Sequence, residues 1–233
     1  MVFPFLLAII PAITSAITAI TTAVATVGPA IAAYAAKIGP AIIKMAHTAG
    51  PVLTRVVEVA NVVAPALQVF NKGETVESIG ERSLQAAEEG IIPEQFEDFD
   101  EYMEKIRNFP LDNNKAEHRK TTIPEASIVA GLGISTLGLE NKFELQEGSL
   151  DGLWLLPVGA DGYFTPERIE GLLNSGQLNS DLLGYLNKTL TASDARNFEK
   201  NLSKDMNEDE QDEFYQGIDA SAEMLTEINK ITE

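Results

Sequence analysis

The chain contains no cysteine, only two histidines, and no charged side chain in its first 36 residues. The lack of cysteine excludes disulfide bonds and cysteine-ligated metals. His47 and His118 are far apart in sequence, so we expect no histidine-rich zinc site, and no other metal or cofactor pattern is present. Neither histidine accompanies a GxSxG nucleophile motif. We therefore expect a protein that is not an enzyme.

Charge is distributed very unevenly along the chain. Up to Asn71 the charged residues are Lys37, Lys44, Arg55 and Glu58, a net of +2. From Lys72 onward 14 basic residues face 34 acidic ones, a net of −20, which gives the total of −18. Phosphate binding needs a basic surface, so we expect no nucleic acid to bind the acidic part. A basic protein is the kind of protein partner that this charge would attract.

The composition divides the chain into three zones. Residues 1–71 form an apolar helical arm that we expect to seek membranes or to oligomerise, residues 72–124 an acidic helical linker region, and residues 125–233 an acidic, mostly helical soluble domain. The predicted fold is mainly α: an arm kinked or segmented at Gly-Pro pairs, followed by a small acidic helical domain. One β-hairpin could form at residues 153–164, where Asp161-Gly162 is a turn signal.

Helix signals are frequent after the arm. We predict helices over residues 75–89, stopped by Gly90, and over residues 94–108. Residues 112–122 are polar and locally basic, and we predict an exposed loop there. Residues 128–139 carry no charge and are too few to span a bilayer, which favours a buried core segment. Further helices are predicted to begin near residues 165, 180, 193 and 207.

Residues 11–27 would form a helix with three distinct faces. Alanines recur at spacings of 4, 3 and 4, which places them on one seam of a helix: Ala12, Ala16, Ala19 and Ala23. Threonines recur every fourth residue and form a hydroxyl ridge: Thr14, Thr18, Thr22 and Thr26. A branched apolar face consists of Ile13, Ile17, Ile20, Val24 and Val27. In lipid, a small seam lets helices approach closely, and threonine hydroxyls bond to backbone carbonyls or to a neighbouring helix.

A Gly-Pro pair recurs every eleven residues in the arm, and its three copies are Gly28-Pro29, Gly39-Pro40 and Gly50-Pro51. Proline is tolerated in the first turn of a helix, and glycine before it can end the preceding helix. The repeat therefore predicts either short helices joined at these corners or one longer helix kinked at each of them. We favour these interpretations over a straight helix.

The uncharged N-terminal run is long enough to cross a bilayer, which needs about 20 residues. No lysine or arginine precedes it, and hydrophobicity continues far beyond any cleavage site, which argues against a cleaved signal peptide. We expect a membrane-associated protein in which the arm contacts a lipid bilayer or an apolar protein conduit and forms homo-oligomers.

An apolar arm followed by an acidic body is a plan found in virion minor proteins, in effectors delivered by injection machines, and in pore-forming toxins. The likeness is one of plan alone. Our leading hypothesis is a membrane-penetrating structural or delivered protein, in a virion or secreted. The alternatives are a pore-forming effector, whose threonine ridge lines a polar path, and a resident membrane anchor that carries an acidic docking domain.

Overall fold

The computed structural model describes residues 4–159, 162–176, 178 and 182–230, with side chains described from Ile10 onward. The fold is mainly α, as predicted, and no strand occurs in these residues. The helices are α1 Pro4–Val24, α2 Pro29–Thr48, α3 Gly50–Ala66, α4 Val76–Glu88, α5 Phe99–Arg107, α6 Asn113–Thr122, α7 Glu125–Lys142, α8 Pro166–Asn174, α9 Leu182–Leu186, α10 Ala192–Leu202 and α11 Glu208–Lys230. Short 3-10 helices cover Ala25–Val27, Pro93–Gln95 and Leu153–Val158.

The central helix is α7, which contains the uncharged segment that the sequence predicted to be buried. Twelve of its 18 residues are buried, and its glycines let neighbouring elements approach closely. A Cβ at Gly131 would lie 1.9 Å from the carbonyl oxygen of Val76, and a Cβ at Gly80 would lie 1.9 Å from that of Ser127. Helices α4 and α7 therefore cross with their backbones in direct contact.

The three zones of composition share one buried core. Helices α2 and α3 from the apolar zone pack together, and both contact α7. The long C-terminal helix α11 packs against α2. Fully buried side chains come from all three zones, including Ile42, Tyr102 and Trp154. Most of the apolar residues between 31 and 64 are thus covered by the acidic part of the same chain.

The Gly-Pro corners behave in two ways. Gly28-Pro29 and Gly50-Pro51 stand where new helices begin, as the segmented interpretation predicts. Pro40 instead lies inside the continuous helix α2. Gly28 has φ 133° and ψ 164°, a conformation that is almost restricted to glycine, so the chain turns sharply between α1 and α2.

Local details differ from the predictions in several places. The helix predicted over residues 94–108 covers only Phe99–Arg107, after a separate 3-10 turn at Pro93–Gln95. Residues 112–122, predicted as a loop, contain helix α6, because Asp112 caps it by accepting hydrogen bonds from the backbone N–H groups of Asn114 and Lys115. The region of the possible hairpin holds the 3-10 helix Leu153–Val158, and no strand lies in its described residues. The buried Trp154 donates its indole N–H to Thr136 Oγ1 at 2.9 Å, which fixes this segment on α7. Asp161 of the predicted turn lies outside the described residues.

Candidate membrane-interaction surface

Helix α1 and the 3-10 turn after it form the one single helical stretch in the described part of the chain that is long and apolar enough to cross a membrane. The stretch is Ile10–Val27, and only 22% of it is buried in the protein. Helices α6 and α7 meet the same criterion only as a pair bent by 106°, and α7 is mostly buried. The exposed surface of α1 is therefore the candidate site of membrane contact.

The branched apolar face of α1 packs against the protein body. Ile13, Ile20, Val24 and Val27 are at most 1% exposed, and Ile17 is partly buried beside them. This face contacts α2 and α7. Of the three faces predicted for the helix, the one with the largest side chains is thus the one covered, as burial of apolar area favours.

The hydroxyl ridge is exposed, yet its described hydrogen bonds stay within the helix. Thr14 donates to the carbonyl of Ile10, Thr18 to that of Thr14, and Thr26 to that of Ala23. Thr22 is exposed as well. Hydroxyls bonded to their own backbone carry little cost in an apolar environment, because their polar groups already have partners.

The alanine seam divides into two exposed and two half-buried positions. Ala12 and Ala19 are exposed, whereas Ala16 and Ala23 are half-buried. The seam thus runs along the edge where the covered face meets the open face. Ala12 and Ala19 are free to meet another surface without any change in the packing of α1 on the body.

A carboxylate far away in sequence caps the N-terminus of α2. Because α2 begins Gly28-Pro29, no side chain of its own N-cap residue can accept a hydrogen bond from its first N–H groups. Glu94 supplies this acceptor: its Oε1 lies 2.9 Å from the backbone nitrogen of Ala30, 64 residues earlier. The same carboxylate lies against Gly28, where a Cβ would clash with it.

Helix α2 has polar ties to the body along its length. Lys37 Nζ lies 2.6 Å from the carboxylate of Asp151, which is 6% exposed. Lys44 Nζ donates to the backbone carbonyl of Asn229 in α11 at 3.1 Å. The described hydrogen bonds donated by side chains of α1 and of the 3-10 turn that follows it, by contrast, all end on carbonyls of α1.

A buried polar cluster joins α2, α7 and the segment after α7. Glu140 accepts a hydrogen bond from the backbone N–H of Leu150 at 2.8 Å, and burial raises its pKa above the ordinary value. Burial also raises the pKa of Tyr34. A small cavity of about 50 Å³ lies between these residues, Lys37 and Asp151. The cluster holds the first half of α2 to the acidic part of the chain.

A pocket with apolar and aromatic walls lies between α8 and α11. It has a volume of about 370 Å³, and Phe164, Leu172 and Phe214 contribute to its walls. Arg168 stacks over Tyr163 at 4.0 Å from the ring centre. Its lining contains no pairing of a nucleophile with a histidine base. No group of three or more histidine, aspartate or glutamate side chains in the described residues could hold a metal ion.

Comparison with known proteins adds no relative from which a role could be transferred: no family model matches this chain, and neither the curated proteins nor the solved structures include a significant match.

The sequence did not point to Glu94 as a residue of this site. It stands in an acidic run of the linker region, and Glu94 is exposed like Glu97, Asp98 and Asp100 of that run. The only signal was the absence of any capping side chain at Gly28-Pro29, which indicates that a donor needs a partner without saying where the partner lies.

Proposed function

We propose that this protein penetrates membranes without catalysing a reaction, and that α1 is the element that enters the lipid. The observation that carries the proposal is an uncharged helix of spanning length that is only 22% buried in its own protein. In this proposal the structure is the stored form, in which the branched face is sheltered by α2 and α7. Storage of this kind suits a protein that is delivered, in a virion or by secretion, before it meets its target membrane.

The proposal narrows the inserting element to residues up to Val27. Ten of the 20 residues of α2 and seven of the 17 residues of α3 are buried. Extracting them would expose the centre of the body to water, at a cost of about 25 cal/mol for each Å² of apolar surface. Releasing α1 uncovers only one face, and lipid then covers that face again.

Inside the membrane, α1 is proposed to associate with α1 of other copies. Lipid provides no hydrophobic drive for helix association, so close packing through small residues becomes important. Ala12 and Ala19 offer such a surface, and the adjacent threonines can add interhelical hydrogen bonds of about 0.6 kcal/mol each. A pore would form if the hydroxyl ridges of several copies faced one another.

Insertion can be followed with a single fluorescent label, because the chain contains no cysteine. Thr18→Cys on the exposed face of α1 and Glu117→Cys on the exposed surface of α6 would each carry an environment-sensitive dye. With anionic liposomes we expect the dye at position 18 to shift to apolar emission and to escape a water-soluble quencher. The dye at position 117 should do neither. A label at position 18 that stays fully quenchable would refute insertion of α1.

A reversible lock supplies the matched control. A Cβ at Gly39 would lie 3.3 Å from Cγ2 of Thr21, close to the spacing between Cβ and the opposite sulfur of a disulfide. Thr21→Cys combined with Gly39→Cys should therefore tie α1 to α2 when oxidised. We expect the oxidised protein to bind liposomes without leakage of an enclosed dye, and reduction to restore leakage.

The seam is tested by Ala12→Leu combined with Ala19→Leu. Both positions are exposed, so the stored form should tolerate the larger side chains. Leucine keeps the helix apolar but blocks close approach, so insertion should persist while oligomers and leakage are lost. Equal oligomers and equal leakage in this variant would show that the seam does not mediate association.

A second candidate, a resident single-pass anchor, is favoured by the core that α2 to α11 bury among themselves. In that case α1 would be in the membrane from synthesis onward. The two candidates differ in one measurement: the penetrating protein can be purified from water without detergent and inserts later, whereas the anchor is found only in the membrane fraction.

A further inference from the structure

We infer that Glu94 is the latch that keeps α1 folded against the body, and that losing its contact at the Gly28 corner is the first step of arm release. The inference deepens the proposed function and rests on it for its biological meaning. The contact itself belongs to the stored form and can be tested without any membrane.

The latch acts at Gly28, where the backbone conformation determines the angle between α1 and α2. Gly28, at φ 133° and ψ 164°, adopts a backbone conformation open to glycine and costly for other residues, so this corner is a natural pivot. The chain on its C-terminal side is fixed, because Lys37 and Lys44 tie α2 to Asp151 and to Asn229. Movement at the corner therefore displaces α1 rather than α2.

The carboxylate of Glu94 contacts the pivot residue and the first turn of α2. Its Oε1 accepts the N–H of Ala30 at 2.9 Å, and a Cβ on Gly28 would lie only 2.2 Å from its Oε2. The first turn of α2 carries the positive end of the helix dipole, which a carboxylate stabilises. The carboxylate thus lies at the corner from which α1 runs onto the body, beside Gly28 and bonded to the first turn of α2.

The Glu94 side chain is exposed, but the backbone that carries it is held in place. Pro93, which precedes it, begins the 3-10 helix Pro93–Gln95, and the aromatic residues that follow are packed: Phe96 lies against Tyr102 with ring centres 5.7 Å apart. Tyr102 is fully buried. The 3-10 turn before Gly28 packs against α4, so the residues on both sides of the latch are held by the same part of the body.

Helix α1 has no other described polar contact that ties it to the body. Its described polar side-chain contacts end on its own segment, and its attachment to α2 and α7 is apolar. An apolar interface stabilises the packed helix, but hydrophobic burial does not depend on a particular orientation. The hydrogen bond of Glu94, by contrast, requires one geometry at the corner. Loss of that single contact should therefore change the frequency of α1 opening without unfolding the body.

The test is hydrogen exchange of the full chain in water, followed by the liposome assay with the dye at position 18. Glu94→Ala removes the acceptor, Glu94→Gln keeps an acceptor oxygen but removes the charge, and Glu97→Ala is the matched control on an exposed neighbouring acid. From the usual effect of losing a helix cap, we expect Glu94→Ala to raise exchange over residues 15–27 about tenfold. Glu94→Gln should raise it less, and residues 34–45, beyond the first turn of α2, should not change in any variant.

The possible outcomes distinguish a latch on α1 from a cap that stabilises only the start of α2. They also show whether the latch or the proposed membrane function fails. If exchange in Glu94→Ala rises only at Ala30 and Ile31, or matches Glu97→Ala, the latch is refuted. If it rises over residues 15–27 while no variant inserts into liposomes, the latch stands and the proposed function fails. If Glu94→Ala does not fold, Glu94→Gln decides: exchange equal to that of Glu97→Gln overturns the inference.

Discussion

Replacing Gly131 with alanine should destabilise the protein, because α4 and α7 cross with their backbones in contact at this residue. A Cβ there would lie 1.9 Å from the carbonyl oxygen of Val76, whereas real Cβ contacts essentially never fall below 3.0 Å. The neighbouring atom is backbone and cannot rotate away, so the two helices must separate by about 1 Å. Forced expansion of a packed core costs about 1–3 kcal/mol, and a backbone clash belongs at the upper end.

Alanine also favours a helix over glycine by about 1 kcal/mol, so the net expectation for Gly131→Ala is a loss of about 2 kcal/mol. The matched control is Gly171→Ala in α8, where an added Cβ would meet nothing within 4 Å. That variant should gain about 0.5–1 kcal/mol. Urea unfolding of the full chain, followed by helical circular dichroism, measures both free energies.

A Gly131→Ala protein at least as stable as Gly171→Ala would refute the crossing described above. Gly80 offers a further check, since its own Cβ would lie 1.9 Å from the carbonyl oxygen of Ser127 in the same crossing. The Gly80→Ala and Gly131→Ala changes combined should cost less than the sum of their separate costs, because the first substitution already separates the helices.

Two further predictions concern buried charge. Arg119→Ala should cost about 3 kcal/mol in urea unfolding, because it leaves the buried carboxylate of Glu81 without its cation at 3.0 Å. Lys115→Ala at an exposed pair should cost much less. Equal losses would contradict this. Burial holds the pKa of Glu140 above its ordinary value of 4.5, so its contribution to stability is present below that value and is lost as pH rises through the folded pKa. Glu140→Gln does not titrate, so its unfolding free energy relative to the parent should increase from pH 4 to pH 7; a difference independent of pH would refute the assignment.

Local signals allowed much of the helical structure to be predicted. Thr75 caps α4 and Thr165 caps α8 through hydrogen bonds to residues three positions later, so neighbouring residues were enough to predict where these helices begin. Helix α6 was missed because its residues are polar with no periodic apolar face, and its described ties to the body are ion pairs to α4, including that of Arg119 with Glu81. No local pattern can reveal such a tie.

The faces of α1 could be predicted from spacing, but their surroundings could not. A period of 3.6 residues separates the alanine, threonine and branched faces on any helix. Which face would be covered depends on α2 and α7, and α7 begins about a hundred residues later in the chain. The same distance explains why the apolar residues of α2 and α3 looked like part of an extended arm: their acidic cover lies far away in sequence.

Ala30 and Glu94 are 64 residues apart, so the ribosome synthesises them at different times. The acceptor for the first turn of α2 leaves the ribosome 64 residues after its donor, which at 5–20 residues per second is a delay of roughly 3–13 s. The last residues of α7, the other support of α1, emerge later still. Throughout this interval α2 is the only one of the two supports of α1 that has been made, so the branched face of α1 lacks the part of its cover that α7 provides. Under the proposed function, a membrane that meets α1 during this interval meets it before the stored form is complete.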